Sequence, residues 1–235
     1  MTRPRITRRS PIAVALALVL AVGPYLLWQG AAQGGPTHGV SMIAPRGIVV
    51  VGDSITARYN DSPGDPDQAW WSFAGRALDA EVTTYAQSGS GYLRPGHQCR
   101  GDRFIDRTDA YSGAAPSILI VEGGRNDWAR CVDGVLALAS NADLEHAVAT
   151  YLNTLQTHLP SSVRIIVLSP PWGPFQPAHG QRVSRIIRAQ ALSHGVEFID
   201  LGGALNAARV VDGIHPNRDG SAAIARRVLR SLDAG

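Results

Sequence analysis

Residues 46–54 read Arg-Gly-Ile-Val-Val-Val-Gly-Asp-Ser. An unbroken aliphatic run at 48–51 describes a strand buried on both faces rather than one wet on one side. Gly52 lets the chain turn sharply out of that strand, and Ser54 then suits the opening of a helix. A strand that feeds straight into a helix is the opening unit of a parallel α/β sheet.

The same grammar repeats downstream. With Gly47–Val51 as the first strand, the pattern predicts strands at Glu81–Tyr85, Ser117–Val121, Val163–Leu168 and Val196–Asp200. Helices are predicted at Gln68–Ala80, Ala142–His158, Gln181–His194 and Asp219–Leu232. The third of these places Val183, Ile186, Ile187, Gln190 and Ala191 on one side. Residues 92–113 are irregular and read as a long loop with at least one helical turn. Short apolar strands separated by helices imply a three-layer α/β/α fold around a five-stranded parallel sheet. Reactive groups are expected in the loops beyond the strand C-termini. No internal repeat or second folded domain is evident.

Of 235 residues, 45% are apolar and 17% charged, so a packed core is expected rather than disorder. Every basic residue is Arg. A phosphate-binding P-loop needs its Lys, so that class of nucleotide hydrolase is disfavoured. The net charge of +3 comes from the N-terminus, where Arg3, Arg5, Arg8 and Arg9 precede the folded part. Without them 18 basic residues face 19 acidic ones, and no basic surface for nucleic acid is expected.

Those arginines lead into an apolar run from Ile12 to Leu27, and no Asp, Glu or Arg lies between Ser10 and Pro45. Gly30, Ala31 and Ala32 follow as small residues of the cleavage-site type. Residues 1–28 therefore read as a signal peptide or a membrane anchor, with both fates open, because Gly23-Pro24 interrupts the run. Either way the domain is delivered outside the plasma membrane. Residues 29–45 read as a linker and 46–235 as the folded domain. Cys99 and Cys131 are the sole cysteines, and in an exported chain they are expected to form a disulfide.

Four loops could carry chemistry. Gly52-Asp53-Ser54 puts a hydroxyl at a helix N-terminus, where free N–H groups could face a developing oxyanion; the plainer reading is a helix cap. Gln87-Ser88-Gly89-Ser90-Gly91 follows the second strand and allows close backbone approach, or is an ordinary turn. Gly123-Gly124-Arg125-Asn126-Asp127 follows the third strand and offers a neutral amide donor, or a turn with caps. Asp212-Gly213-Ile214-His215 could bring a carboxylate to an imidazole, or be a surface turn before the last helix. A metal reading of Asp-x-x-His lacks further ligands at suitable spacing.

Singly these are ambiguous. In their joint order, over about residues 46–232, they resemble the SGNH (GDSL-type) hydrolase superfamily, whose fold is flavodoxin-like. The resemblance implies Ser54 as nucleophile, His215 as general base and then acid, and Asp212 as its orienting partner. It implies an oxyanion hole of the Ser54 N–H, the Gly89 N–H and the Asn126 amide. The stretch Thr84-Tyr85-Ala86-Gln87 lacks the Asn often found before the family's glycine, so Gly91 stays open beside Gly89.

Tyr92, Trp128 and Trp172 follow strand ends and could contact substrate, as could Arg125, although loop packing or an ion pair explains each as well. His97, His146, His158, His179 and His194 lack motif context and read as solvated or capping residues. A Cys99–Cys131 bridge would pin the walls of the pocket. The implied activity is hydrolysis of a small-molecule, lipid or acylated-carbohydrate ester, with no metal or cofactor, by a monomer. Alternatives are acyl transfer to a cell-envelope sugar and a non-catalytic envelope-binding module. No Gly-x-Ser-x-Gly elbow and no Gly-x-Gly-x-x-Gly fingerprint is present.

Overall fold

The computed structural model describes residues 47–57, 65–113, 116–174 and 176–233. The readings of residues 1–28 and 29–45 lie outside them. Among the described residues no helix is long and apolar enough to cross a membrane.

Seven strands occur in chain order: β1 Ile48–Gly52, β2 Val82–Ala86, β3 Ile118–Glu122, β4 Ala129–Val132, β5 Val135–Leu138, β6 Arg164–Leu168 and β7 Glu197–Ile199. Five of them form one parallel sheet in the order β2-β1-β3-β6-β7. All five residues of β1 are buried, as its unbroken apolar run requires. Its alternate side chains feed two cores. Val49 and Val51 join Leu119, Tyr151, Leu152 and Val183 on one face. Ile48 and Val50 join Trp70, Ile120, Ile224 and Val228 on the other.

The helices are α1 Ser54–Ala57, α2 Trp70–Leu78, α3 Thr108–Ser112, α4 Asn141–His158, α5 Gly180–Ser193 and α6 Arg218–Asp233. Helices α4 and α5 cover the first core, and α2 and α6 the second. The start of α4 is set by a capping box: Ser140 Oγ accepts the Asp143 N–H at 3.1 Å, and Asp143 accepts the Ser140 N–H. Its buried residues, Leu144, Val148, Tyr151, Leu152 and Leu155, make one stripe.

The fold is the expected three-layer α/β/α arrangement, with ends displaced by a residue or two. The helix expected over Gln68–Ala80 is shorter. Asp65 caps a single 3-10 turn at Pro66–Gln68, and Ala69 is extended before α2 begins at Trp70. Residues 92–113 hold 3-10 turns at His97–Cys99 and Ile105–Arg107, followed by α3. The β4–β5 hairpin was not anticipated. Its turn is Asp133-Gly134, both with positive φ, the Asp-Gly pairing that tight hairpins favour.

Cys99 and Cys131 are bonded, which ties the hairpin to the 97–99 turn across 32 residues of chain. Closing a loop of that size restricts the unfolded chain. Reduction is expected to lower the unfolding free energy by about 2–4 kcal/mol. Urea titrations with and without reductant measure this, and coincident midpoints would count against it.

Candidate active site

Strand order reverses at β1: the chain goes from β1 outward to β2, then returns to β3 on the other side. The crevice outside the carboxyl ends of β1 and β3 is where such sheets hold ligands. Ser54 lies there, at the start of α1 directly after β1, and Arg125 and Asn126 lie in the loop after β3. A cavity of about 1030 Å³ at this edge is lined by Ser54, Gly89, Arg125, Asn126, Asp212 and His215 among others.

Asp212 and His215 meet in one tight turn. The Asp212 Oδ2 lies 2.7 Å from His215 Nδ1, while its Oδ1 accepts the N–H groups of His215 (2.8 Å) and Ile214 (3.1 Å). Partial burial would raise the Asp212 carboxyl, but these hydrogen bonds outweigh it and hold the group at about 2. An ionised carboxylate only accepts, so His215 Nδ1 carries the proton and Nε2 presents a lone pair. Nε2 is buried and has no hydrogen-bond partner among the described residues.

The two candidate glycines differ in placement. Gly89 has φ +77 and lines the cavity, and a Cβ there would lie 2.6 Å from the His97 nitrogen. The N–H of Gly91 donates to the Arg94 carbonyl at 2.9 Å, and its α-carbon packs on the Asp127 carboxylate. The Asn126 amide donates to the Ser90 carbonyl at 2.9 Å and to Asp53 Oδ2 at 3.3 Å.

Close to Ser54 in the chain and at the sheet edge lies a set of buried ionisable groups without a sequence motif. Asp53, Glu122 and Asp127 have no solvent exposure. Burial raises all three carboxyls, Asp53 to about 7 and Glu122 well above its ordinary range. Arg125, placed beside Asp53, Glu122 and Asp212, opposes the rise in Asp53 and Glu122. Glu122 accepts from Thr56 Oγ1 at 2.8 Å, and Trp70 Nε1 donates to that same hydroxyl at 3.2 Å. Asp127 accepts the N–H groups of Tyr92, Leu93 and Arg94 at 2.9, 2.9 and 3.2 Å. The one sequence signal was an acid closing an otherwise aliphatic strand, at Val121-Glu122.

Trp128, Trp172 and Arg125 line the cavity. The Arg125 guanidinium lies 5.0 Å from the Trp172 ring centroid, and Trp172 Nε1 donates to Ser184 Oγ at 2.7 Å. Tyr92 is a correction. It is 2% exposed, packed edge-on against Phe104 and Tyr151, because Asp127 holds its N–H and turns the ring into the core. His97 is exposed, as expected, at the rim of the cavity; His179 takes the N-cap position of α5 without a side-chain cap bond, and its ring stacks on Trp128 at 5.3 Å. His158 and His194 do cap, each reaching the carbonyl four residues back, at 2.8 and 2.7 Å. Among the described residues no group of three or more His, Cys, Asp or Glu is placed to hold a metal.

Fold and lining residues together are those of an SGNH-type ester hydrolase. Residues 50–223 match the GDSL-like lipase/acylhydrolase family, and the chain belongs to that family. No curated protein sequence matches it. Several solved structures share the fold. A family two carbohydrate esterase from Clostridium thermocellum is 16% identical, with 81% of this chain and 65% of that one aligned at a TM-score of 0.67. A carbohydrate acetylesterase from Sinorhizobium meliloti is 16% identical over 80% of this chain and 99% of that one, at 0.65. A carbohydrate esterase family 2 enzyme from Corynascus thermopiles is 21% identical over 80% and 66%, at 0.63.

Two outcomes follow from the charges. Asp127→Ala strands three backbone N–H groups, two of them on buried residues, at about 1–3 kcal/mol for each left unsatisfied. A loss of about 3 kcal/mol or more is expected in urea unfolding, and a loss under about 1 kcal/mol would show that water replaces the carboxylate. Asp212 ionises near 3.8 when unfolded and near 2 when folded. Its contribution to stability is therefore present above about pH 4 and is lost as the pH falls through about 2. Titration of its carboxyl carbon by NMR is expected to show the depressed midpoint, and an ordinary midpoint would mean that the pair is not held in solution.

Proposed function

We propose that this chain is an exported serine esterase that removes short acyl groups from a carbohydrate through an acyl-enzyme on Ser54. The observation that carries the reading is the Asp212–His215 pair, which lines one cavity with Ser54 and Asn126 and whose Nε2 is buried without a hydrogen-bond partner among the described residues. His215 Nε2 takes the Ser54 hydroxyl proton as Oγ attacks the ester carbonyl. The carbonyl oxygen becomes an oxyanion facing the N–H groups of Ser54 and Gly89 and the Asn126 amide. The C–O bond to the alcohol then breaks, and the alcohol leaves with the proton from His215. Water, deprotonated by His215, releases the acid and restores Ser54.

The alcohol side favours a sugar. Trp128 and Trp172 give the cavity flat apolar rings, and Ser88, Gln176 and Arg125 add polar groups beside them. Sugar rings, with apolar faces ringed by hydroxyls, fit that mixture. Carbohydrate esters are also what the named fold relatives act on. Export rests on the N-terminal Arg-rich and apolar segments and agrees with the Cys99–Cys131 bridge.

The test is hydrolysis of p-nitrophenyl esters of rising chain length, followed by acetate release from an acetylated oligosaccharide. Acetate is expected to be the best acyl group, Ser54→Ala to be inactive, and Asn126→Ala to lose about 10²–10³ in turnover. Equal rates for native protein and Ser54→Ala would refute the nucleophile. Rates that climb with chain length would refute the carbohydrate reading and favour a lipase.

A further inference from the structure

An asparagine amide has two unlike ends. Its Nδ2 donates two hydrogens and its Oδ1 accepts, and a half-turn about the last side-chain bond exchanges them. For Asn126 the difference decides whether the oxyanion meets a donor or a repelling lone pair. Two acceptors touch Nδ2. The Ser90 carbonyl, at 2.9 Å, belongs to the loop after β2. The Asp53 carboxyl Oδ2, at 3.3 Å, belongs to the residue immediately before the nucleophile. A flipped amide would turn Oδ1 toward both.

Asp53 is itself held. Its Oδ1 accepts the Ile55 N–H at 2.8 Å, and the residue is fully buried. Its second oxygen is thereby aimed at the loop after β3. The contact to Asn126 is the longer of the two, so the hydrogen on that side is the one the oxyanion can share.

We infer that Asp53 is a positioning residue: its Oδ2 and the Ser90 carbonyl together keep the Nδ2 edge of Asn126 turned toward the Ser54 site. The inference rests on the esterase reading for its kinetic consequence but not for its geometry. Asp53→Asn places an amide where Oδ2 stands and lets Asn126 turn. Asp53→Ser keeps a short oxygen able to cap the Ile55 N–H but does not reach Asn126.

Both variants are to be assayed on p-nitrophenyl acetate, alone and combined with Asn126→Ala. Each single variant is expected to lower kcat by about 10–100-fold, part of what one oxyanion donor supplies, with KM within about twofold. Combined with Asn126→Ala, neither is expected to lower kcat by more than about twofold further, since Asp53 acts through the amide. Equal losses with and without Asn126, or full activity in both variants, would overturn the inference. A second readout needs no turnover: the Asn126 side-chain amide protons, by NMR, are expected to exchange slowly in the native protein and at least tenfold faster in each variant. Unchanged exchange would overturn the positioning role even in an active enzyme. Slow exchange lost on substitution, in a protein without ester hydrolysis, would support it while refuting the esterase reading.

Discussion

The carboxylate of Asp127 joins two loops that the Asn126–Ser90 hydrogen bond and the Cys99–Cys131 bridge also link. It comes from the segment after β3 and receives three successive N–H groups from the segment after β2. A carboxylate with three such donors has satisfied most of its lone pairs, which is what lets it stand fully buried. The spacing between the Gly89 and Asn126 loops depends on that clamp. So does the close approach of Gly91, where any Cβ would displace the carboxylate. Tyr92 is drawn into the core as a by-product.

Around the clamp the C-terminal edge of the sheet is packed with ionisable groups rather than oil. Asp53, Glu122 and Asp127 are fully buried, Arg94 and Arg125 nearly so, and Arg107 spans the edge from Tyr85 O (2.8 Å) to Ser90 Oγ (3.0 Å). Replacing such groups by apolar ones often stabilises a protein, so stability alone does not explain them. Their effect is directional. Each hydrogen bond fixes one loop atom relative to the end of β1, where Ser54 begins its helix. A hydrophobic core could hold the strands in place but could not orient an amide.

The layers of this fold were legible because burial is written in period. The aliphatic runs at 48–51 and 118–121 and the stripe through Leu144, Val148 and Leu152 each specify an element without reference to the rest. The site residues Ser54, Asn126, Asp212 and His215 were legible only as a set, since each alone is an ordinary cap or turn residue. What stayed hidden depends on contacts distant in sequence. Glu122 and Asp127 look like strand-end and turn acids until Thr56 and the 92–94 backbone are seen against them. His97 enters the cavity because the Cys99–Cys131 bridge and the His97–Ser88 backbone bond (3.1 Å) hold its turn beside Gly89. The β4–β5 hairpin was signalled by Val-Asp-Gly-Val, but its strands are four residues long and largely exposed, too short for a periodic pattern.

The site therefore has two halves built on different principles. The Ser54–Asn126 half stands on the switch point of the sheet and is held by buried hydrogen bonds. The Asp212–His215 half comes after β7, beyond β6, and must reach back across the edge on a connecting segment. Its turn is closed by the Val211 N–H to His215 O bond at 2.9 Å and by the Val210–Pro216 bridge. Asp212 keeps 42% of its side chain exposed and His215 12%. A carboxylate that open gains little from its surroundings, so its hold on the imidazole has to be local. Three hydrogen bonds from within four residues provide it. The base is thus oriented by a self-contained turn, and the oxyanion donors by the core. The cavity between them, where substrate would lie, and Arg125, placed beside Asp212 from the loop after β3, join the two.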